Sequence, residues 1–526
     1  MTPFQRVICV SLLALAVAMP AYAQQPATGP QTTPAAAEDQ DASRTGRDVV
    51  IITANKREES VQDIAVAVTA ITSELRDEIG LTTVQDYTNF APGLTYSTAS
   101  DRLGMRGVTR TSNNFGIRSG ISNYVDGVYY SSAIPAGREP IFVDRVEVVR
   151  GPQGTLYGRD SIGGALNLIS KRPADEFEGQ FNMTVGNYDS RSVQATVSGP
   201  ITDWLRYRIA GARSFQGEGY LTNAAGGETE GGRRDDYYIE AQLEGEIGSK
   251  FDWWAKYNTL SWHRLGAPGG RTGAGESEPY DTRLFGAPGG ANINGLYGLS
   301  AFGASPNPYI IPGSVVMAGS QTTNPNTGSS EQTRFNTDFT EFTDLAPTSE
   351  AALELVYHAD TFDVKYLGGY VWYHYNLQLD VDGGPVSQFA LAFPLNGTPA
   401  GTPLSTAREY DYNENRSWFS NEINIVSTAA GPLQWIAGLY AYQENYTQPQ
   451  FATSFPTINQ PVFRVDGTIL PDLPDFTGRN DHSGSPLGGD LWYFANNRGN
   501  NNAYGAFVQT DYQLNDQLKF TAGLRY

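Results

Sequence analysis

The sequence predicts an antiparallel β-barrel that spans a membrane, preceded by a compact mixed α/β domain. Three observations indicate this fold. The chain begins like a secreted protein, it alternates between apolar and polar residues from about residue 177 onward, and its predicted strands are joined by short and long connections in turn. A soluble β-sandwich also alternates, but its strands are usually shorter and nothing requires its long loops to lie at one end.

Residues 1–23 have the layout of a secretory signal peptide. Arg6 lies near the start, an apolar run covers residues 7–19, and Ala21-Tyr22-Ala23 stands at the end. The only cysteine, Cys9, falls in this segment, so disulfides and thiolate metal sites are excluded from the mature chain. Removing Arg6, its only charge, takes the formal net charge from −20 to −21, which makes nucleic acid a poor partner.

Residues 24–47 are rich in Gln, Pro, Thr and Ala and predict a disordered linker. The segment that follows, DVVIITA at residues 48–54, has the composition of a strand, and no partner for its backbone groups is evident nearby. We delimit residues 55–175 as the compact domain. Within it, "TSELRDEIG" predicts a helix with Ser73 as N-cap and Gly80 as its end.

A second helix is predicted in "TTVQDYTNFAPG", which carries a capping-box pattern. Four runs predict strands in the same domain: VAVTAI, SNYVDGVYY, RVEVVRG and ALNLIS.

Residues 176–526 predict the barrel. In "YYIEAQLEGEI", Ile239, Ala241 and Leu243 share one face, and the opposite face carries Glu240, Gln242, Glu244 and Glu246. An apolar face for lipid and a polar face for a wet interior are typical of barrel strands. We predict eleven strands, which begin near residues 177, 190, 205, 235, 250, 350, 361, 416, 432, 503 and 517. The long loops, predicted to be extracellular, cover residues 216–234, 265–348, 381–415 and 449–501.

Three stretches, in order, resemble TonB-dependent outer-membrane receptors. "RVEVVRGPQGTLYGRDSIGGALNLISKRP" (145–173) resembles the end of their plug domain, "DVVIITANKREESVQDIAVAVTAIT" resembles the TonB box and plug start, and "RGVTRT…SNYVDGVYY" resembles the plug middle. The resemblance implies a mixed α/β plug domain inside a transmembrane antiparallel barrel of the 22-strand type, whose lumen is plugged. Because eleven strands are half of 22, we expect the chain to be the N-terminal portion of a longer receptor.

The resemblance also implies an energy source and a location. TonB, an inner-membrane-anchored protein, would bind a TonB box formed by Asp48, Val49, Val50, Ile51, Ile52, Thr53 and Ala54. An extended segment on a flexible tether can add as a strand to an exposed sheet edge. The alternative is that residues 48–54 form the first strand of the plug sheet. The implied location is the outer membrane of a Gram-negative bacterium, where the barrel contacts outer-membrane lipid.

Residues 97–120 are the predicted plug apex and hold the candidate ligand-binding residues, namely Arg102, Arg106, Arg110, Asn113, Asn114, Phe115 and Arg118. In so acidic a chain these arginines would attract an anionic ligand such as a ferric siderophore. Alternatively they would pair with lumen-facing carboxylates such as Glu240, Glu244 and Glu246, since enclosed charges are usually paired. By resemblance, Arg150 is assigned to plug–barrel pairing.

Enzyme and metal motifs are not found in the sequence. "GRDSIGG" is no nucleophile elbow, because Arg159 stands two residues before Ser161, and the four histidines have no ligand spacing. We therefore predict no catalytic residue, no bound metal and no cofactor. The function expected is TonB-dependent uptake of a scarce, bulky ligand, with a ferric siderophore as first choice. Cobalamin, an oligosaccharide or another glycan, and a passive porin-like or surface-binding barrel remain alternatives.

Overall fold

A computed structural model gives the fold of the chain. The residues it describes are 51–52, 56–57, 59–60, 66–81, 84–97, 102–109, 119–131, 142–223, 228–266, 291–292, 310–311, 315–318, 334–335, 340–380, 388–390, 403–405, 409–455, 462–463, 469–470, 490–515 and 517–526. The predicted signal peptide and linker lie outside the described residues.

The compact domain is built on a five-stranded sheet with the order β3-β9-β10-β7-β8, in which β10 runs parallel to β7 and the other pairs are antiparallel. Strands β1 and β2 form a small ribbon before this sheet, and β4, β5 and β6 form a separate three-stranded sheet. The elements of this part of the chain are β1 (Ile51–Ile52), β2 (Glu59–Ser60), β3 (Ala67–Thr72), α1 (Ser73–Ile79), α2 (Val84–Tyr87), β4 (Leu94–Ser97), β5 (Arg102–Met105), β6 (Val108–Thr109), β7 (Ile121–Val125), β8 (Val128–Tyr130), β9 (Val143–Arg150) and β10 (Gly164–Ser170). We call this domain the plug.

Helix α1 is defined by its caps. Thr72 is the N-cap, and its side chain accepts a hydrogen bond from the backbone N–H of Leu75 at 3.3 Å. The predicted N-cap, Ser73, was wrong by one residue, because Thr72 still has extended backbone angles and Ser73 is already helical. Gly80 ends the helix in the left-handed conformation, at φ +73°, as its position predicted.

The second part of the chain forms one large antiparallel sheet, which we call the wall. The strands from here on are β11 (Glu178–Gly186), β12 (Ser190–Thr202), β13 (Leu205–Gln216), β14 (Thr222–Asn223), β15 (Arg233–Ile247), β16 (Phe251–Leu265), β17 (Ala291–Asn292), β18 (Ile310–Ile311), β19 (Val315–Ala318), β20 (Arg334–Phe335), β21 (Phe342–Leu345), β22 (Ser349–His358), β23 (Phe362–Asp380), β24 (Gln388–Ala390), β25 (Pro403–Ser405), β26 (Glu409–Ser427), β27 (Leu433–Phe455), β28 (Val462–Phe463), β29 (Ile469–Leu470), β30 (Asp490–Asn515) and β31 (Leu518–Arg525).

The wall has the order β11-β12-β13-β15-β16-β21-β23-β26-β27-β30-β31, and β22 also pairs with both β16 and β23. The antiparallel order and the predicted strands are thus confirmed, with β21 and β22 sharing one place between β16 and β23. Strands β11 and β31 are the two edges. One end of the wall carries only short connections, and we call it the short-turn end.

The wall is apolar outside and polar inside. Along β15, Ile239 is 54% exposed while the next residue, Glu240, is 1% exposed. Farther along the sheet, on β27, Leu439 is exposed and Glu444 is buried. A water-soluble sheet would bury the first kind of residue and expose the second, so this inversion is typical of a sheet whose outer face meets lipid. Among the described residues, no helix is long and apolar enough to cross a membrane.

Two apolar cores position the plug. One is internal to it and packs Tyr87 and Met105 against the β9–β10 face. The other joins plug to wall and includes Tyr124 and Tyr129 of the plug with Trp418 of β26. The plug therefore shares a core with the inner face of the wall.

A glycine in the wall lets the plug approach closely. A Cβ atom placed on Gly369 of β23 would lie 2.3 Å from Cγ1 of Val128 in β8. Because Val128 is buried and β-branched, it has little freedom to move aside. The lack of a side chain at Gly369 therefore provides the space that β8 occupies.

We predict that Gly369→Ala destabilises plug seating by about 2 kcal/mol through overpacking. The measurement is hydrogen exchange of peptide 121–130 in the purified protein, which should become faster. Gly186→Ala is the matched control, since a Cβ there meets only the Cβ of Ser190, at 3.8 Å. Adding Val128→Ala should restore protection in the Gly369→Ala protein, and a lack of rescue would contradict the steric explanation.

Candidate functional site

The candidate site is the interface between plug and wall, and its centre is the β7–β8 hairpin. Asp126 and Gly127 form the turn with φ values of +51° and +78°. Positive φ at both central residues characterises a type I′ turn, for which Asp-Gly is a favoured sequence. The turn projects Asp126 toward the wall and places the side chains of β8 against it.

Lys256 of β16 binds this turn. Its Nζ lies 2.9 Å from Oδ2 of Asp126, 3.0 Å from Oε2 of Glu240 and 2.6 Å from Oγ of Ser170. All three charged side chains are at most 4% exposed. Burial raises the pKa of Asp126, but Lys256 and the backbone N–H of Ser170 more than offset it, so the pKa lies below its usual value. The aspartate is ionised at neutral pH and lost as a partner only in strong acid.

Other contacts fix the same hairpin. The hydroxyl of Tyr130 donates to Oε2 of Glu350 at 2.8 Å, and Nε1 of Trp418 donates to the carbonyl of Tyr129 at 2.8 Å. Next to β8, Nη1 of Arg416 lies 3.4 Å from the carbonyl of Ser131. The plug is thus attached to strands β16, β22 and β26 of the wall by buried polar contacts.

Arg416 and Arg159 are buried or half-buried cations with defined partners. Arg416 lies 3.0 Å from Glu414 and 3.2 Å from Glu444 on the wall. The guanidinium of Arg159, from the plug, lies over two rings, 5.1 Å from the centre of Tyr129 and 4.3 Å from that of Tyr442. These cation–π contacts tie a second plug loop to β27.

The start of the described chain forms a separate contact. Ile51 pairs with Ser60 and Ile52 with Glu59, so β1 and β2 form a small antiparallel ribbon outside the plug sheet. Between them in the chain, Lys56 pairs with Glu422 of β26, and Nη1 of Arg57 lies 3.4 Å from Oδ2 of Asp511 in β30. Burial lowers the pKa of Lys56, and Glu422 offsets only part of that shift.

A cavity of about 500 Å³ lies between plug and wall beside these two cations. Its charged lining has both signs and includes Arg145, Arg172 and Lys365 with Asp144, Glu354 and Glu422. Arg172 and Lys365 both bind Glu354, at 3.3 and 2.6 Å. The cavity is therefore balanced in charge.

The predicted TonB-binding residues are placed only in part. Ile51 and Ile52 lie in β1, whereas Asp48, Val49, Val50, Thr53 and Ala54 lie outside the described residues. The described pair is not a strand of the five-stranded plug sheet, because its partner is β2. For Ile51 and Ile52, this disagrees with the alternative that residues 48–54 form the first strand of the plug sheet. TonB binding by residues 48–54 stays a prediction.

The predicted ligand residues are also placed in part. Arg102 begins β5, and Arg106 is exposed beside Gly151, in a turn with φ +51°. Arg110, Asn113, Asn114, Phe115 and Arg118 lie outside the described residues. Ligand binding by this group stays a prediction.

The four predicted plug–barrel pairing residues have different surroundings. Glu240 lies at the interface through Lys256, and Glu244 lines the cavity. Glu246 is 3.8 Å from Arg206 on a neighbouring wall strand. Within the described part of the chain, no ion pair of Arg150 is found, and its half-buried side chain keeps Nε without a hydrogen bond. Pairing of Arg150 with the barrel stays a prediction.

Sequence reasoning missed Lys56, Asp126, Lys256 and Arg416. Asp126 carried a usable signal, since Asp-Gly between two β-rich runs marks a hairpin whose turn is polar. Lys256 and Arg416 are cations on the polar faces of alternating strands, which makes them lumen-facing, but nothing local identifies their partners. Among the described residues, no group of three or more His, Cys, Asp or Glu side chains could hold a metal ion.

Comparisons with known proteins agree with this arrangement. Residues 60–165 match the family model of the TonB-dependent receptor plug domain. The ferripyoverdine receptor of Pseudomonas aeruginosa is 33% identical over 169 residues, which cover 32% of this chain and 20% of that protein. The ferrioxamine B receptor of Salmonella typhimurium is 34% identical over 143 residues, or 26% of this chain and 20% of that protein.

Solved structures extend the likeness to the wall. The ferric yersiniabactin uptake receptor of Yersinia pestis aligns with a TM-score of 0.59 at 15% identity and covers 88% of this chain and 56% of its own. The ferric-catecholate import receptor of E. coli, in an open form, aligns with a TM-score of 0.56 at 17% identity. The alignment covers 89% of this chain and 60% of that protein. At these identities the likeness concerns the fold. The chain spans less than two thirds of the length of each of these proteins.

We predict that Lys256→Met costs more stability than Asp126→Asn. The first change leaves two buried carboxylates without their cation, at a cost of about 3 kcal/mol or more. The second leaves Lys256 paired with Glu240 and costs about 1.5 kcal/mol. Urea titrations of the purified chain, followed by hydrogen exchange of peptide 164–170, measure both.

Lys250→Met is the matched control, because Lys250 is an exposed lysine in a wall turn, paired with Asp360. It should leave the urea midpoint unchanged. Equal urea midpoints for Lys256→Met and Asp126→Asn would contradict the conclusion that Lys256 neutralises both Asp126 and Glu240.

Proposed function

We propose that this chain is a TonB-dependent receptor and that it takes up a ferric siderophore across the outer membrane in a TonB-dependent way. The observation that carries the proposal is the plug itself. Residues 60–165 match the plug family, and buried charges and aromatic rings attach them to the wall. A channel filled this way admits a bulky ligand only if the plug is rearranged, and buried ion pairs make that costly.

The energy for the rearrangement comes, in this proposal, from TonB bound to residues 48–54. A β-rich segment held through its main chain transmits tension without needing particular side chains. Ile51 and Ile52 already adopt strand geometry in β1. The small ribbon that they form with β2 has two residue pairs, so a partner strand has little to displace.

The cargo class rests on the relatives. Proteins named as receptors for ferripyoverdine, ferrioxamine B and ferric yersiniabactin recur among them. The cargo is an iron chelate carried as substrate, recognised at the plug apex around Arg102 and Arg106 and by the long loops. The site does not choose among chelates, so a panel of ferric siderophores, with cobalamin and oligosaccharides as comparison, identifies the cargo by growth of a deletion strain.

We predict that deleting residues 48–54 abolishes uptake of the labelled cargo and leaves its binding to whole cells unchanged. A deletion of residues 30–36, equally long but within the predicted linker, is the control and should keep uptake. Uptake that survives the loss of residues 48–54 would favour a passive barrel instead.

A point substitution separates main-chain from side-chain recognition. Ile51→Pro removes a backbone donor and should reduce uptake about tenfold or more, while Ile51→Ala should keep most of it. Uptake by cells over minutes is the measurement. Equal loss in both variants would mean that the isoleucine side chain, rather than the strand, is recognised.

A further inference from the structure

The cavity between plug and wall lies at the short-turn end of the wall. Glu354 is four residues before the end of β22, Lys365 is three residues after the start of β23, and Glu422 is five residues before the end of β26. In the proposed orientation this end faces the periplasm, because outer-membrane barrels have their short turns there. A cavity of about 500 Å³ is large enough for a drug-sized molecule.

Lys56 and Arg57 contribute side chains to the lining of this cavity. Both bind the wall, on β26 and β30. Their side chains are 17% and 14% exposed, and the carboxylates that they bind are 12% exposed. Nζ of Lys56 also lies 5.1 Å from the ring centre of Phe507 on β30. One residue, Asn55, separates Lys56 from the end of the predicted TonB box at Ala54.

We propose that Lys56 and Arg57 form a latch that closes the short-turn side of this cavity, and that the cavity becomes the exit chamber of the cargo when the latch is withdrawn. The direction of withdrawal rests on the proposed function, because TonB pulls residues 48–54 away from the wall. The closing contacts themselves belong to the chain alone.

The energetics suit a contact that opens repeatedly. Taking the ammonium of Lys56 out of water carries a desolvation penalty, which its attraction to Glu422 only partly repays, as the lowered pKa of Lys56 indicates. Withdrawal returns both cations to water and lets water reach Glu422 and Asp511. The carboxylates left behind are therefore hydrated, and opening avoids the full cost of an unpaired buried charge.

Withdrawal also changes the charge of the chamber. The cationic and acidic side chains that line it are equal in number while Lys56 and Arg57 are in place. Without these two cations, carboxylates predominate. An anionic chelate then meets no net attraction in the chamber and is released rather than retained.

The test is thiol accessibility in the purified full chain, without TonB. In a Cys9→Ser background, Ile169→Cys places one thiol on the cavity lining. The probe is a water-soluble, charged maleimide. With the latch intact, labelling is slow. Adding Lys56→Gln and Arg57→Gln should speed it about tenfold or more, the factor that corresponds to about 1.4 kcal/mol of closing free energy.

The matched control removes two cations elsewhere. Lys250→Gln with Arg191→Gln breaks two ion pairs of exposed wall residues and should leave labelling slow. Val148→Cys, in place of Ile169→Cys, reports unfolding of the plug, since Val148 is fully buried in the plug core. That thiol should stay unlabelled in the latch variant.

A charge exchange completes the test. Lys56→Glu alone should label fast, and Lys56→Glu combined with Glu422→Lys should label slowly again. Labelling at the control rate in the latch variant would overturn the proposal, as would fast labelling of the Val148→Cys thiol. Because no TonB is present, these outcomes are independent of the uptake measurements, so a failed latch and a failed transport function are told apart.

Discussion

The pairing of charges enclosed between plug and wall is the constraint on which the rest of the structure depends. A wall with an apolar outer face has to place its polar residues inside, and a charge in a filled lumen needs a partner. Lys256 illustrates the consequence, because its two carboxylate partners come from different domains, Glu240 from the wall and Asp126 from the plug. The plug therefore completes the polar interior of the wall, and the two parts depend on each other for stability.

Much of this fold could be predicted from local sequence, because strand periodicity is a local property. Nine of the eleven predicted starts lie within two residues of the observed ones. The two larger errors are at β26, predicted from 416 and observed from Glu409, and at β30, predicted from 503 and observed from Asp490. In each of these strands, the residues before the predicted start, 409–415 and 490–502, include polar residues on both faces. No alternation of lipid-facing and lumen-facing residues therefore marks them as strand. The contacts of the site were not predictable, since Lys256 and Asp126 are 130 residues apart and no local pattern encodes which wall strand faces which plug turn.

The order of strands in the plug sheet separates two kinds of attachment. Strand β3 lies at one edge and the β7–β8 hairpin at the other. The hairpin is held by Lys256, Glu350 and Trp418, whereas the chain before β3 is held by the contacts of Lys56 and Arg57. In the proposed function, tension applied upstream of β3 therefore reaches the β3 edge before it reaches the hairpin. That order of loading would release β3 from β9 while the hairpin still holds the remaining sheet against the wall.

Ionic contacts suit the edge that moves better than apolar contacts would. An apolar seal loses its stabilisation only as its area is exposed to water, and the exposed surface then favours collapse or aggregation. A buried ion pair exchanges one partner for water once it opens, so the opened state is hydrated and can close again. The apolar core between plug and wall includes Tyr129 and Val128 of the hairpin, and Val68 and Ala70 of β3 also pack against it. In the proposed function, the β3 side is therefore held by apolar packing and by the ion pairs of Lys56 and Arg57, and the ion pairs are the part of this attachment that water can replace.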